Sequence, residues 1–198
     1  HLKCALGSAP FDSDGMATRA RDLIQAGVLQ GYVLGAYSAR KLGLEPTGNG
    51  GGVHNLIVEP GAQDLPALLK TMGTGLLITD MIGFGVNQVT GDYSRGASGF
   101  WVENGAICFP VEEITVAGNL LDMYKNIIAV GTDVDWRGNV LTGSVLIAGL
   151  TIAGECRRES CLKWQPCVLL RFHFQTDPHH HERSATRPPA CRGRCRPE

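Results

Sequence analysis

Apolar and polar positions in residues 22–34 alternate about Gly27, a pattern that predicts two short strands joined by a turn. Residues 36–42 then read as a short helix, closed by Gly43 as a left-handed cap. Glycines at 48, 50, 51 and 52 predict a loop before a strand over 54–58. A second short helix is predicted over 65–72, and a strand over 75–79 that enters a loop at Gly83. Phe100, Trp101 and Val102 are aromatic or β-branched and precede Glu103-Asn104-Gly105, where Asn-Gly supplies the positive φ angles of a tight hairpin. Residues 106–109 form the returning strand, and Pro110, which has no N–H to donate, is expected to end the pairing or shift it to an edge. Asn119 is a good helix N-cap, Asp122 adds negative charge to the first turn, and Leu120, Met123, Tyr124 and Ile127 recur at helical spacing. Segments around 127–130 and 145–152 read as closing strands. The whole describes a strand-dominated α+β domain with no internal repeat and no linker before residue 155.

Composition permits one such domain with a real core, because 43% of the 198 residues are hydrophobic and only 19% are charged. No apolar run reaches the roughly 18 residues needed to cross a bilayer, and no signal segment opens the chain. A cytoplasmic protein is the expectation. Charge changes the picture near residue 155. Residues 1–154 hold nine Lys or Arg against fourteen Asp or Glu, whereas residues 155–198 hold nine against five together with five of the seven cysteines. The acidic balance of the larger part disfavours nucleic acid as a partner, since backbone contacts need clustered Lys and Arg.

Two readings compete for the tail. Cys156, Cys161, Cys167, Cys191 and Cys195 with His179 to His181 could supply soft metal ligands. Their spacings do not repeat the paired short knuckles of a zinc ribbon, which favours an out-of-frame or read-through addition that packs nowhere. A disulfide framework is disfavoured further, because Cys4 and Cys108 belong to a domain that needs no staples.

Other motifs offer chemistry in competition with structural roles. Gly48-Asn49-Gly50-Gly51-Gly52 lacks the Gly-Lys-Ser/Thr of a P-loop, so a mobile or ligand-apposed loop is favoured. Gly83-Phe84-Gly85 lacks the third glycine of a dinucleotide word. Ser94, between Gly91 and Gly96, has one residue more than a nucleophile elbow, and His54 and Asp80 could complete a hydrolytic trio only through long-range placement. Arg95, flanked by small residues, could fork onto a peptide carboxylate or form an ion pair with Asp92 or Glu103.

Family-specific word order adds to these readings. TGDYSRGASGFWVENG followed by FPVEEITVAGN, with PFDSDGMATR upstream at 10–19, YSARKLG at 37–43, PTGNGGGVHNL at 46–56 and VGTDVDWRGNVLTGSVLIAGLTIAG at 130–154, resembles the C-terminal domain of PmbA/TldE-type subunits in the TldD/PmbA family. The resemblance covers most of residues 10–154, so 1–154 is expected to be that domain, with its strand-dominated mixed sheet, and 155–198 a tail outside the family. Because the chain opens at His1 inside the resembling region, it is expected to be the C-terminal piece of a longer protein.

The resemblance implies a subunit of a cytosolic TldD/TldE zinc metallopeptidase that processes or degrades unfolded peptides; an older association ties such subunits to modulation of DNA gyrase. In TldD-like subunits two histidines and a glutamate come from a His-Glu-x-x-x-His helix upstream of the resembling region, and a cysteine completes the set from a late turn. The matching late segment, 132–138, holds no cysteine, and His181-Glu182 in the tail lacks a second histidine. The implied assignment is therefore a subunit that is not catalytic by itself, with no metal in this chain and zinc in a TldD-like partner. Its expected partners are that subunit and an unfolded peptide. Asn49, His54, Asn87, Tyr93 and Arg95 are the candidate substrate-binding or interface residues, and none is assigned to catalysis.

Overall fold

A computed structural model describes residues 2, 4–154 and 167–171. Its elements are β1 (Ile24–Gln25), β2 (Val28–Leu29), α1 (Ala36–Leu42), β3 (Leu56–Ile57), α2 (Leu65–Met72), β4 (Gly75–Ile82), β5 (Asp92–Glu103), β6 (Ala106–Asn119), α3 (Leu120–Lys125), β7 (Ile127–Val130), β8 (Val140–Leu141), β9 (Val145–Ile147), β10 (Thr151–Ala153) and β11 (Cys167–Leu170). Seven strands make one mixed sheet in the order β10-β6-β5-β4-β11-β9-β7, and two small two-stranded pairings, β1-β2 and β3-β8, flank it. This is the α+β, strand-dominated architecture that the sequence pattern predicts. Among the described residues no helix is long and apolar enough to cross a membrane.

Local chemistry explains most element ends. Gly43 closes α1 at φ 66, a left-handed angle that costs a side-chain-bearing residue energy. Asp64 caps α2 by accepting the Ala67 N–H at 2.9 Å, with Pro66 in the first turn, where a missing N–H is harmless. Asn119 caps α3 through the Leu121 N–H. The β5–β6 hairpin turns at Asn104 and Gly105, both at positive φ (51° and 76°).

Alternating side chains build two cores, one on each face of the sheet. Leu76 and Ile78 of β4 join Tyr93, Ala97, Val116, Met123, Val145 and Leu150 on one face. Leu77 joins Val102, Leu146 and the α2 residues Leu68, Leu69 and Met72 on the other. Strand β11 feeds both, with Val168 and Leu170 on the first face and Leu169 on the second. Burying each such side chain is worth about 1.5–3 kcal/mol.

Several expectations change in detail. Pro110 does not end the hairpin: β6 runs on to Asn119, with Pro110 opposite Phe100 between two register shifts. It is tolerated because, among the described residues, β10 pairs only with 115–117 and nothing pairs with Pro110 on that side. The strand expected over 54–58 contracts to Leu56–Ile57, and that over 145–152 divides into β9 and β10 around 148–150. Ile127, read both at helical spacing and as the start of a closing strand, lies in β7 over Ile127–Val130 as the strand reading had it. The tail does not wholly fail to pack, since Cys167–Leu170 form β11 at the centre of the sheet. The remaining tail cysteines and His179 to His181 lie outside the described residues.

Candidate functional site

The candidate residues separate into two groups. Asn49 and His54 belong to a loop cluster organised by two carboxylates of the Asp12-Ser13-Asp14-Gly15 turn. Asp12 is buried; its Oδ1 accepts the Asp14 and Met16 N–H groups, both at 2.9 Å, and its Oδ2 accepts the Gly50 N–H at 2.6 Å. The Gly50 amide holds its pKa below the ordinary carboxylate value; burial opposes this, while the Met16 and Asp14 amides and the charge of His54 reinforce it. Asp14 accepts the Ala36 N–H at 2.7 Å and so caps α1, whose own N-cap, Gly35, has no side chain to do so. A Cβ at Gly50 would press on the Asp14 carboxylate at 2.6 Å and push it from the Ala36 N–H that it caps.

Within this cluster, Asn49 Oδ1 accepts from Arg21 Nη2 at 2.9 Å and from Thr47 Oγ1 at 3.1 Å, and its amide donates to the Gly52 carbonyl. Arg21 also donates to the Tyr32 carbonyl at 2.7 Å. His54 Nε2 lies 3.3 Å from the Gly48 carbonyl. The glycine-rich loop is therefore held by hydrogen bonds from several sides.

Asn87, Tyr93 and Arg95 gather at the loop end of the β4–β5 hairpin. Asn87 Oδ1 accepts the Val89 N–H at 2.9 Å and the Thr90 N–H at 3.3 Å, shaping the 83–91 loop that carries the fully exposed Phe84 and Val89. The Tyr93 hydroxyl donates to Met81 Sδ at 3.2 Å, and Arg95 Nη2 donates to the Met81 carbonyl at 3.3 Å. Burial raises the Tyr93 pKa, and the charge and hydrogen bonding of Arg95 partly counter it. Arg95 forms neither anticipated ion pair. Asp92 takes Thr90 Oγ1 and Glu103 takes the Trp101 indole N–H, while Arg95 Nε is buried with no hydrogen-bond partner. Phe84, Gly85, Val86, Asn87, Asp92 and Ser94 line a shallow cleft beside this group. No hydrogen bond joins Ser94 to His54 or Asp80 among the described residues, and Asp80 is paired in register with Ser98. The hydrolytic trio is not assembled.

A third feature has no candidate residue in it. A recess of about 200 Å³ is lined by Asp133, Val134, Asp135, Arg137, Thr142, Gly143, Ser144 and Arg171. Asp133 accepts the Ser144 N–H at 3.0 Å and its Oγ–H at 2.6 Å. Asp135 grips the Arg137 guanidinium through both carboxylate oxygens, at 2.7 to 3.2 Å, which raises the Arg137 pKa. The sequence signal was present in the spacing of Asp133, Asp135 and Arg137, but its lining depends on 142–144 and 171 folding back. Likewise the Asp-Ser-Asp-Gly turn was visible as a word, whereas its role as a hub for residues 35–50 was not.

This recess contains the segment where the resemblance puts a cysteine zinc ligand in TldD-like subunits. Its carboxylates are engaged by Ser144 and Arg137, and no group of three or more His, Cys, Asp or Glu placed to hold a metal occurs among the described residues. The described residues of this segment do not fit a catalytic zinc.

Residues 1–154 match the family model of the PmbA/TldA metallopeptidase C-terminal domain, and the chain belongs to that family. It is 55% identical over 156 residues to a metalloprotease PmbA homolog of Haemophilus influenzae, covering 78% of this chain and 35% of the relative. It is 53% identical over 155 residues to metalloprotease PmbA of Escherichia coli O157:H7, covering 78% and 34%. The chain thus spans about a third of the length of these curated relatives. Among solved structures it resembles a Thermotoga maritima protein described as a candidate modulator of a DNA gyrase, with a TM-score of 0.70, 40% identity and coverage of 77% and 37%. It also resembles TldE from Thermococcus kodakarensis, with a TM-score of 0.65, 25% identity and coverage of 74% and 36%.

Proposed function

We propose that this chain is the C-terminal domain of a subunit of a cytoplasmic TldD/TldE-type zinc metalloprotease complex, in which it docks a TldD-like partner and helps wall a cleft for extended, unfolded peptide. The subunit activates no water itself; the zinc is held by the partner. The observation that supports this reading is the 132–138 segment, which has no cysteine where the resemblance puts a zinc ligand in TldD-like subunits and whose carboxylates bond Ser144 and Arg137. Toward the same end of the sheet, the 83–91 loop exposes apolar side chains and Asn87, Asp92 and Ser94 line a shallow cleft; Arg95, next in β5 to Ser94, keeps a buried Nε with no hydrogen-bond partner. An extended peptide could add there through main-chain hydrogen bonds, with Asn87, Tyr93 and Arg95 fixing its position and Asn49 and His54 maintaining the neighbouring loops.

The test mixes the full-length protein with its TldD-like partner, zinc and an unfolded peptide. Cleavage should require both proteins, and Arg95→Ala in this chain should raise KM at least several-fold with little change in kcat. Cleavage by this protein alone with stoichiometric zinc uptake, or undiminished cleavage by the partner alone, would defeat the reading. A second reading, a non-proteolytic interaction module, is favoured by the description of the Thermotoga maritima neighbour. It is supported if the two-protein mixture never cleaves peptide.

A further inference from the structure

All strands of the large sheet except β11 come from the family-matched residues 1–154. Without β11 that region would hold two separate sheets, β10-β6-β5-β4 and β9-β7. Strands in a sheet lie about 4.8 Å apart, so β4 and β9 stand about 10 Å from each other, too far to pair and one strand apart. Their facing edges lie among the most deeply buried residues of the domain. With β11 in place, Leu76, Leu77 and Ile78 on one side and Leu146 and Ile147 on the other are each no more than 4% exposed. Buried N–H and C=O groups along both edges demand partners, and two apolar cores demand side chains of alternating direction.

Residues 167–170 meet both demands. They run parallel to β4, with Val168 opposite Leu76, and antiparallel to β9, with Val168 opposite Ile147; the Arg171 N–H then donates to the Ile78 carbonyl at 3.0 Å. Gly75 lets this strand approach, since a side chain there would collide with the Cys167 carbonyl. Thirteen residues of chain separate β10 from β11.

We infer that the space between β4 and β9 is a strand-acceptor slot, a binding site for an extended apolar segment with the Val-Leu-Leu pattern, and that Cys167–Leu170 occupy it in cis. Recognition is by main chain on both edges and by apolar side chains on both faces, Val168 and Leu170 on one and Leu169 on the other, so the slot accepts a matching peptide from outside the chain when the resident strand is expelled. A tethered segment competes at an effective concentration on the order of millimolar, which closes the slot in the unaltered protein.

The test uses the full chain carrying Val168→Pro together with Leu169→Asp, which removes a ladder N–H and puts a charge where a core leucine belongs. The probe is a fluorescein-labelled peptide copying residues 166–171 with serine in place of Cys167, read by fluorescence anisotropy. The variant should bind the probe at least about tenfold more tightly than the unaltered chain, and a probe with the Leu169→Asp change should not bind. A variant that keeps its circular dichroism and cooperative melt yet binds no probe overturns the inference. Where the variant fails to fold, amide exchange in the unaltered chain decides. Joint protection of 168–171, 76–78 and 145–147 supports the slot and its occupant, and free exchange of 168–171 beside protected β4 and β9 overturns it.

Discussion

Residues 2–60 leave Ile24, Val28, Leu29, Tyr37 and Leu42 largely exposed and take their shape from Asp12, Asp14 and Thr47 bonded to backbone groups. The seven-stranded sheet instead buries Leu76, Ile78, Val102, Val116, Leu146, Val168 and Leu169 almost completely on two faces. The first region is specified by directional hydrogen bonds, each of small net worth, and the second by apolar burial, which is worth more and has no direction. The first should therefore open locally under conditions that the second survives, and its geometry depends on the ionisation of Asp12.

The largest effect is expected from the sheet. Leu146→Ala removes a fully buried side chain from the core under α2 and should cost about 2–5 kcal/mol, seen as a lower midpoint in a denaturant or thermal melt. An equal loss of stability from any single change in residues 2–60 would break the contrast.

Asp12→Ala should come next and act locally. Three backbone N–H groups lose their acceptor, and exchange of the Gly50 amide should accelerate about tenfold or more while β4 to β6 stay protected. The pH dependence follows from the lowered pKa. The Asp12 contribution is complete above its ordinary value of 3.8 and disappears as pH falls below that through the folded-state value. Acid should thus release Gly50 before it melts the sheet, and Asp12→Asn should abolish that early step.

Asp64→Ala removes the N-cap of α2 and should cost about 1 kcal/mol in the melt, a penalty on the sheet side that comes from a hydrogen bond rather than from burial. The smallest effect is spectroscopic. The Tyr93 pKa is raised, so its neutral form stabilises the fold fully below the ordinary value of 10.0 and the contribution is lost as pH rises through the folded value. A phenolate absorbance titration should show one tyrosine ionising later than the exposed ones, and Tyr93→Phe should remove that late component.

Much of this was readable along the chain. Helices at 36–42 and 65–72 appear with the anticipated bounds, and the Asn104-Gly105 turn and the Asn119 cap lie where their chemistry put them. The candidate site was less legible. Arg95 reads as a partner for Asp92 or Glu103, yet strand register carries Glu103 to its pairing with Ala106 at the far end of β5 and its carboxylate to Trp101, while Arg95 turns onto Met81. Asp14 gives no local hint that it caps a helix beginning 22 residues later.

By itself, then, the sequence determined those features whose cause lies within a few residues: which segments turn, which are capped, and which words mark the family. Tertiary structure alone decided that Pro110 lies inside a long strand, that two carboxylates organise the glycine-rich loop, and that residues 167–170 complete the sheet between β4 and β9. Local signals restrict a residue's own backbone angles. Pairing between distant segments depends on which buried edge lacks a partner, and that edge exists only once the rest of the chain has folded.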